Sequence, residues 1–333
     1  MLTLVLGFLF GAILQYSRLN RYNTISGMAM LKDFTMAKAI AVAIGLGMIF
    51  VNIEIGLGFA SYHVKPLLLA GVIVGGLIFG IGMGILGYCP GTIPISMGEG
   101  SLDAFTGFIG AITGGIVYTL IVPFIKGISG PDFGQMALKN VFEQGSIIFY
   151  ILVIIIGILM IAIAFRLNRL ERSRNYNWLI SGIGLAILTA GIFLTSVTDR
   201  VLGASGMYPY VSAVLNGLKE TDYFKSIASS GHWELIFLCG AFLSGLIISL
   251  IRRDFKLTLI HTNWKEHRGD SATGRIIWSF AGGFLLIIGA RLAGGCTSGH
   301  IISGGMQLAL SSYIFAVFVF ASFLLTGKLF YRK

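Results

Sequence analysis

Charge is what this 333-residue chain has least of. Only 11% of its residues are charged, whereas 56% are hydrophobic and the mean hydropathy is +0.87. A water-soluble domain has no use for so much apolar surface, so the composition places the chain in a membrane. Acidic residues are the scarcer sign, 14 against 24 Lys and Arg, for a formal charge of +10. The basic residues lie in short segments between apolar runs, which is a topology signal and excludes nucleic acid as the partner. Cysteine is almost absent. Cys89, Cys239 and Cys296 form no C-x-x-C pair and have no histidine at ligand spacing, which excludes a disulfide framework and a zinc site. No metal or cofactor is expected. The first apolar run, residues 1–14, has no basic segment before it and no A-x-A site, so it reads as a retained span rather than a cleaved signal peptide.

What is there is long apolar runs. A hydrocarbon core of about 30 Å needs roughly 20 apolar residues per helix. The runs predict an all-α polytopic protein with nine spans, near residues 2–16, 37–59, 66–86, 104–124, 146–164, 177–197, 233–251, 276–293 and 308–325. Four Gly-rich, partly apolar stretches are too short to cross, at residues 23–31, 91–98, 206–215 and 297–306. They predict re-entrant half-helices, because broken helices persist at membrane depth only where protein or a cavity satisfies the backbone. With the C-terminus on the inside, 17 basic residues fall inside, among them Lys38 and Arg275, and six outside, among them Lys65. That asymmetry predicts an N-out, C-in chain in the cytoplasmic (inner) membrane, with the bilayer as its first partner.

The two halves match. Setting Cys89 against Cys296 aligns Gly75 with Gly282, Gly76 with Gly283, Gly82 with Gly289, Gly87 with Gly294 and Ser96 with Ser303 in one ungapped register. A shorter register sets Arg21, Ser26, Gly27 and Met28 against Arg200, Ser205, Gly206 and Met207. One membrane domain is therefore expected, built of an inverted repeat (1–125 and 177–327) joined by a connecting span at 146–166. Such repeats put a substrate site near the midplane, where half-helix ends meet. The string Gly82-Met83-Gly84-Ile85-Leu86-Gly87 matches G-x-G-x-x-G but has no strand before it, so it carries no dinucleotide signal.

Two segments stand out as chemistry: Gly87-Tyr88-Cys89-Pro90-Gly91-Thr92, and Gly289 to His300, which reads G-A-R-L-A-G-G-C-T-S-G-H. Each puts a cysteine where a span gives way to a half-helix. Free backbone N–H groups there attract an anion, and a thiol adds a polarisable contact suited to sulfur. The substrate pathway is therefore placed at Cys89, Gly91 and Thr92 from one half, and at Cys296, Thr297 and Ser298 from the other. Ser26, Gly27 and Gly206 join it from the remaining half-helices. Arg291, within a span, either balances an anion or donates to helix-end carbonyls. His300 is either proton-linked or an interface residue, and Cys239 is expected in the core.

With these motifs the chain resembles the YeeE/YedE family of sulfur transporters over nearly its whole length. The resemblance implies an hourglass-shaped protein that takes up thiosulfate, and it implies roles for Cys89 and Cys296 in passing the anion through a narrow centre. A third family cysteine, in an R-x-C segment, corresponds to Asn23 in Arg21-Tyr22-Asn23. An amide donates hydrogen bonds but offers no thiol, so a related sulfur or selenium species is the alternative substrate. The other expectations to set against transport are a membrane sulfurtransferase or thiol redox protein, and docking of a cytoplasmic sulfur-carrier or sulfurtransferase protein. The leading expectation is a transporter, not an enzyme.

Overall fold

The computed structural model describes residues 1–125, 127, 130–171 and 175–332. Lys126, Arg172, Arg174 and Lys333, which entered the sidedness tally, lie outside the described residues. The fold is all-α. In chain order the helices are α1 (Leu2–Tyr16), α2 (Tyr22–Ala29), α3 (Thr35–Gly56), α4 (Leu69–Leu86), α5 (Ile93–Gly98), α6 (Leu102–Ile125) and α7 (Ile147–Glu171). They continue as α8 (Asn177–Phe193), α9 (Met207–Leu215), α10 (Asp222–Ile251), α11 (Thr262–Arg268), α12 (Ala272–Leu292) and α13 (Leu310–Phe330), with a π-helical segment Thr297–Gly304 before the last. Seven of them, α3, α4, α6, α7, α10, α12 and α13, are long and apolar enough to cross a membrane. The two other expected spans, α1 and α8, are apolar but only 15 and 17 residues long. At 1.5 Å per residue they reach about 22 and 26 Å, short of a 30 Å core.

Elements differ from expectation where caps and charges decide. α10 starts eleven residues before the expected 233, because Thr221 Oγ1 accepts the Phe224 N–H at 3.2 Å and Asp222 fills the first turn. α12 starts at Ala272 because Ser271 Oγ accepts the Gly274 N–H at 3.1 Å. That extension draws Arg275 out of the expected loop into a buried helical turn. Lys38 likewise lies inside α3, buried and ion-paired with Glu171. Neither is a solvated loop cation. α11 was not expected at all, since seven polar and aromatic residues carry no apolar period.

α4 and α12 cross backbone to backbone. A Cβ on Gly75 would stand 2.6 Å from Ala293 N and 2.7 Å from Gly289 O, and one on Gly82 would stand 2.5 Å from Leu286 N. Glycine is what permits this approach. α4 then stops at Gly87, whose φ of +77° is a left-handed cap that an L side chain adopts at a cost. The last α4 carbonyls, on Ile85 and Leu86, accept from Arg275 at 3.3 and 2.8 Å, and Arg275 pairs with Asp103 of α6 at 2.5 Å with both residues fully buried. Asp103 also meets Tyr88 OH at 3.2 Å and His261 Nε2 at 3.1 Å.

Breaking one half of a fully buried pair leaves an uncompensated charge and costs about 3–5 kcal/mol. Asp103→Asn and Arg275→Met are each expected to lower the thermal midpoint of the purified protein markedly. The double change should recover a substantial part of that loss. Single variants melting like the wild type would show that the pair does not hold α4, α6 and α12 together.

Candidate functional site: a two-cysteine constriction

Two turns built alike converge. After the Gly87 cap, the Cys89 N–H donates to Thr92 Oγ1 at 2.9 Å, and the Thr92 hydroxyl faces Cys89 O at 3.1 Å and Cys89 Sγ at 3.4 Å. Thr92 thus fixes the thiol's direction. α5 begins only at Ile93, with Pro94 rather than Pro90 in its first turn. The second turn follows Gly294, again with positive φ (+76°), and sets Cys296 Sγ 3.2 Å from Ser298 Oγ. The Cys89 thiol interacts with the Thr297 side chain and, electrostatically, with Cys296. Both cysteines are buried, at 7% and 1% exposure. Tyr208 of α9 closes the pair: its hydroxyl donates to Pro90 O at 2.7 Å and its ring lies within electrostatic reach of both thiols. Gly91 leaves room on the remaining side, where an added Cβ would meet Phe10 and Ala204 at 3.4 and 3.5 Å.

Beside this pair stands a cluster of charges. Lys65, from the α3–α4 connection, reaches in to donate to Gly294 O at 2.6 Å and lies beside Gly295 and Gly299. Arg291 donates from Nε to Tyr223 OH at 2.6 Å and from Nη1 toward Ser205 Oγ at 3.5 Å. Glu234, buried on α10, accepts the Gly206 and Met207 N–H groups at 2.5 and 3.1 Å, so a carboxylate already occupies the N-terminus of α9. Lys65, Arg291 and Glu234 sense one another electrostatically, yet among the described residues neither cation forms an ion pair. Burial, with Arg291 nearby, pulls the Lys65 ammonium down to about 8 against the opposing pull of Cys296 and Glu234. A cavity of about 340 Å³ leads to Glu234 past His63, Asp199, Arg200 and Trp233. His63 Nε2 is 3.1 Å from Asp199 Oδ1 at its edge.

The other expected residues fall elsewhere. Asn23 is exposed, and its partners are on α11: Asn263 N–H donates to Asn23 Oδ1 at 3.1 Å, while Asn263 Nδ2 donates to Asn23 O and to Ser26 Oγ. Gly27 packs on Asp33. Among the described residues, none of these three has a partner on the cysteine turns. The shorter repeat register also joins unlike structure, since Ser26-Gly27-Met28 lies within α2 whereas Ser205-Gly206-Met207 runs across the start of α9. His300 is buried with Nε2 2.8 Å from Ala293 O and Nδ1 3.1 Å from Ser312 Oγ, so a neutral ring satisfies both and latches the second turn to α13. Cys239 is not in the core. It is exposed on α10, at an apolar crevice of about 380 Å³ with Met97, Phe108 and Val211.

Sequence reading missed Glu234, Tyr208 and Tyr223, and it took Lys65 for a loop cation. Glu234 was detectable, because an acid within an apolar run is a site candidate by its cost alone. Lys65 was not, since only the fold turns its connection inward.

The sequence also has known relatives. A family profile described as sulphur transport matches residues 17–325. The chain is 26% identical over 328 residues, 95% of its length and 94% of the relative's, to a protein from Spirochaeta thermophila named thiosulfate transporter TsuA. With that profile spanning most of the sequence, the chain belongs to the sulphur transport family.

Proposed function

We propose that the chain takes up a small sulfur-containing anion, thiosulfate or a related species, across the cytoplasmic membrane through the constriction at Cys89 and Cys296. The observation that carries this is the convergence of two similar turns, each presenting one buried thiol, beside two cations that have no ion-pair partner. The named substrate of the Spirochaeta relative supports the choice of anion. In this reading the anion enters the cavity at His63 and Trp233, is held by Lys65 and Arg291, and displaces part of Glu234's interaction with them. It then passes between the thiols, where Thr92, Thr297 and Ser298 supply hydroxyl donors. A weakly hydrated sulfur end suits a polarisable thiol better than a carboxylate or a water would. Asn23, on α2 beside α11, lies on the route beyond the cysteines.

The nine-span inverted repeat belongs to the same proposal. Packing supports it: α1 lies on α10 as α8 lies on α3, α4 meets α13 as α12 meets α6, and α2 meets α13 as α9 meets α6. Each pairing turns into its counterpart when the two halves are exchanged, with α7 as the connector. α1 and α8 then cross as short spans, and the basic segments 252–256 and 265–268 lie in the cytoplasm.

Cys89→Ala and Cys296→Ala are each expected to reduce uptake of radiolabelled thiosulfate by about tenfold or more, the loss that follows if each thiol supplies about 1.4 kcal/mol at the barrier. Expression and monodispersity should be unchanged, and Cys239→Ala, at an exposed site, should leave uptake as it was. Wild-type uptake by the Cys89→Ala, Cys296→Ala double variant would remove the thiols from the pathway.

A second expectation concerns pH. Lys65 is charged below about 8 and loses its charge as pH rises through that value, so anion affinity should decline across this range, with about a tenth of the lysines still charged one pH unit higher. Lys65→Arg should flatten the decline, because guanidinium stays protonated. An apparent KM that is constant from pH 7 to pH 9, or equally pH-dependent in both proteins, would contradict the role given to Lys65.

For orientation, cysteines introduced at Arg253 and Lys265 should resist an impermeant maleimide in intact cells and react once the membrane is opened. Labelling in intact cells would reverse the assignment.

A further inference from the structure

One end of α13 is unused by the pathway and has its own surface chemistry. Two cavities, of about 580 and 660 Å³, flank its last turns and share Leu325. The first is rimmed by Lys32, His267 and Lys328. Lys32 Nζ stands 3.2 Å from His267 Nε2, whose other ring nitrogen is 2.9 Å from Asn263 O. The second is an apolar groove between α4 and α13, walled by Leu77, Ile81, Trp278 and Leu329. Arg268 stands at its mouth, 4.4 Å from the Phe330 ring and 5.8 Å from that of Trp278. No carboxylate lines either cavity, and among the described residues none of Lys32, His267, Arg268 and Lys328 forms an ion pair.

We propose that this end of α13 is a binding site for an anionic phospholipid of the leaflet on the basic-loop side, its phosphate held by Lys32, Lys328 and Arg268, with His267 steadying the Lys32 ammonium, and an acyl chain lying in the α4–α13 groove. Three cations with no acid to answer them have an electrostatic need that a phosphodiester meets, and lysines near an anionic leaflet are attracted to it individually. The groove supplies what a free anion does not use. From Ala321 to Leu329 it runs along nine residues of α13, about 12 Å, close to the depth of one leaflet's hydrocarbon. Leu325 and Leu329 are exposed along this face, so a chain packed there replaces bulk lipid with a fitted contact. Trp278 beside Arg268 suits the headgroup boundary, where aromatic rings gather. The bound lipid joins α2, α11, α12 and α13, and so steadies the face where Asn263 holds Asn23 and Ser26.

The test uses the full-length protein purified in detergent and observed by native mass spectrometry during titration with phosphatidylglycerol, phosphatidylcholine or inorganic phosphate. Phosphatidylglycerol adducts are expected to persist where phosphatidylcholine adducts do not. Lys32→Ala with Lys328→Ala should weaken them about tenfold or more, whereas Lys219→Ala with Lys225→Ala, at and just before the start of α10, should not. Wild-type protein gives an independent reading. Brominated phosphatidylglycerol should quench tryptophan fluorescence more than brominated phosphatidylcholine, and Trp278→Phe should remove the difference. Equal binding of the two lipids, adducts that survive loss of both lysines, or displacement by inorganic phosphate would each overturn the proposal.

Discussion

α4 and α12 touch through their backbones, and the two cysteine turns start from that pair of helices. Two helices with ordinary side chains pack 8–10 Å apart; at Gly75, Gly82, Gly282 and Gly289 there is no room for a Cβ between them. The contact runs antiparallel, with Gly75 against Gly289 and Ala293 and Gly82 against Gly282 and Leu286, so the two helices end on opposite sides of it, and the turns that follow bring Cys89 and Cys296 within electrostatic reach of each other. The left-handed caps at Gly87 and Gly294 are needed to swing each chain away from its helix within two residues. A side chain at any of the crossing glycines would part the helices and separate the thiols, even though no crossing glycine touches the anion in the proposed pathway.

Ending each of these helices inside the protein strands carbonyl groups, and the structure answers with cations. Arg275 takes the last carbonyls of α4, and Lys65 takes Gly294 O after α12. The two solutions differ in what else they hold. Arg275 is saturated by Asp103 and by the faces of Tyr22 and Trp264 at 4.3 and 4.8 Å. Lys65 has one carbonyl and distant Glu234. A cation whose partners saturate it stabilises structure, whereas one left short of partners retains attraction for an anion.

Much of this was legible in the sequence. Apolar runs located seven long spans because a bilayer imposes their length, and the register through Cys89 and Cys296 found both turns because glycine has few substitutes at close crossings and left-handed caps. Charge was misread more often than hydrophobicity. Lys38, Arg275 and Lys65 were taken for loop cations because counting by segment treats every basic residue near a span end as solvated, yet each reaches a specific acid or carbonyl. Asn23 was placed by motif alignment, and its actual partner, Asn263, is 240 residues away on a helix with no apolar period. Cys239 shows the same limit in reverse: an apolar neighbourhood in a membrane chain says nothing of whether a side chain faces protein or lipid.

The inverted repeat proposed above has no preferred direction of its own, so direction has to come from residues that the halves do not share. Opposite Lys65, Arg291 and Glu234, whose polar interactions leave attraction to spare, stand Arg275, Asp103, His261 and Tyr88, whose interactions are mutual and closed. The stacking of Tyr22 on His261, with ring centroids 5.0 Å apart, and its packing against Gly87 extend that closed side up to the cysteine turn. An anion arriving from the Lys65 side gains electrostatic stabilisation before it meets a thiol. One arriving from the Arg275 side must first disrupt a satisfied network. In the proposed pathway the glycine crossing thus sets where the constriction lies, and the unequal pairing of two helix-end cations sets the side from which it is approached.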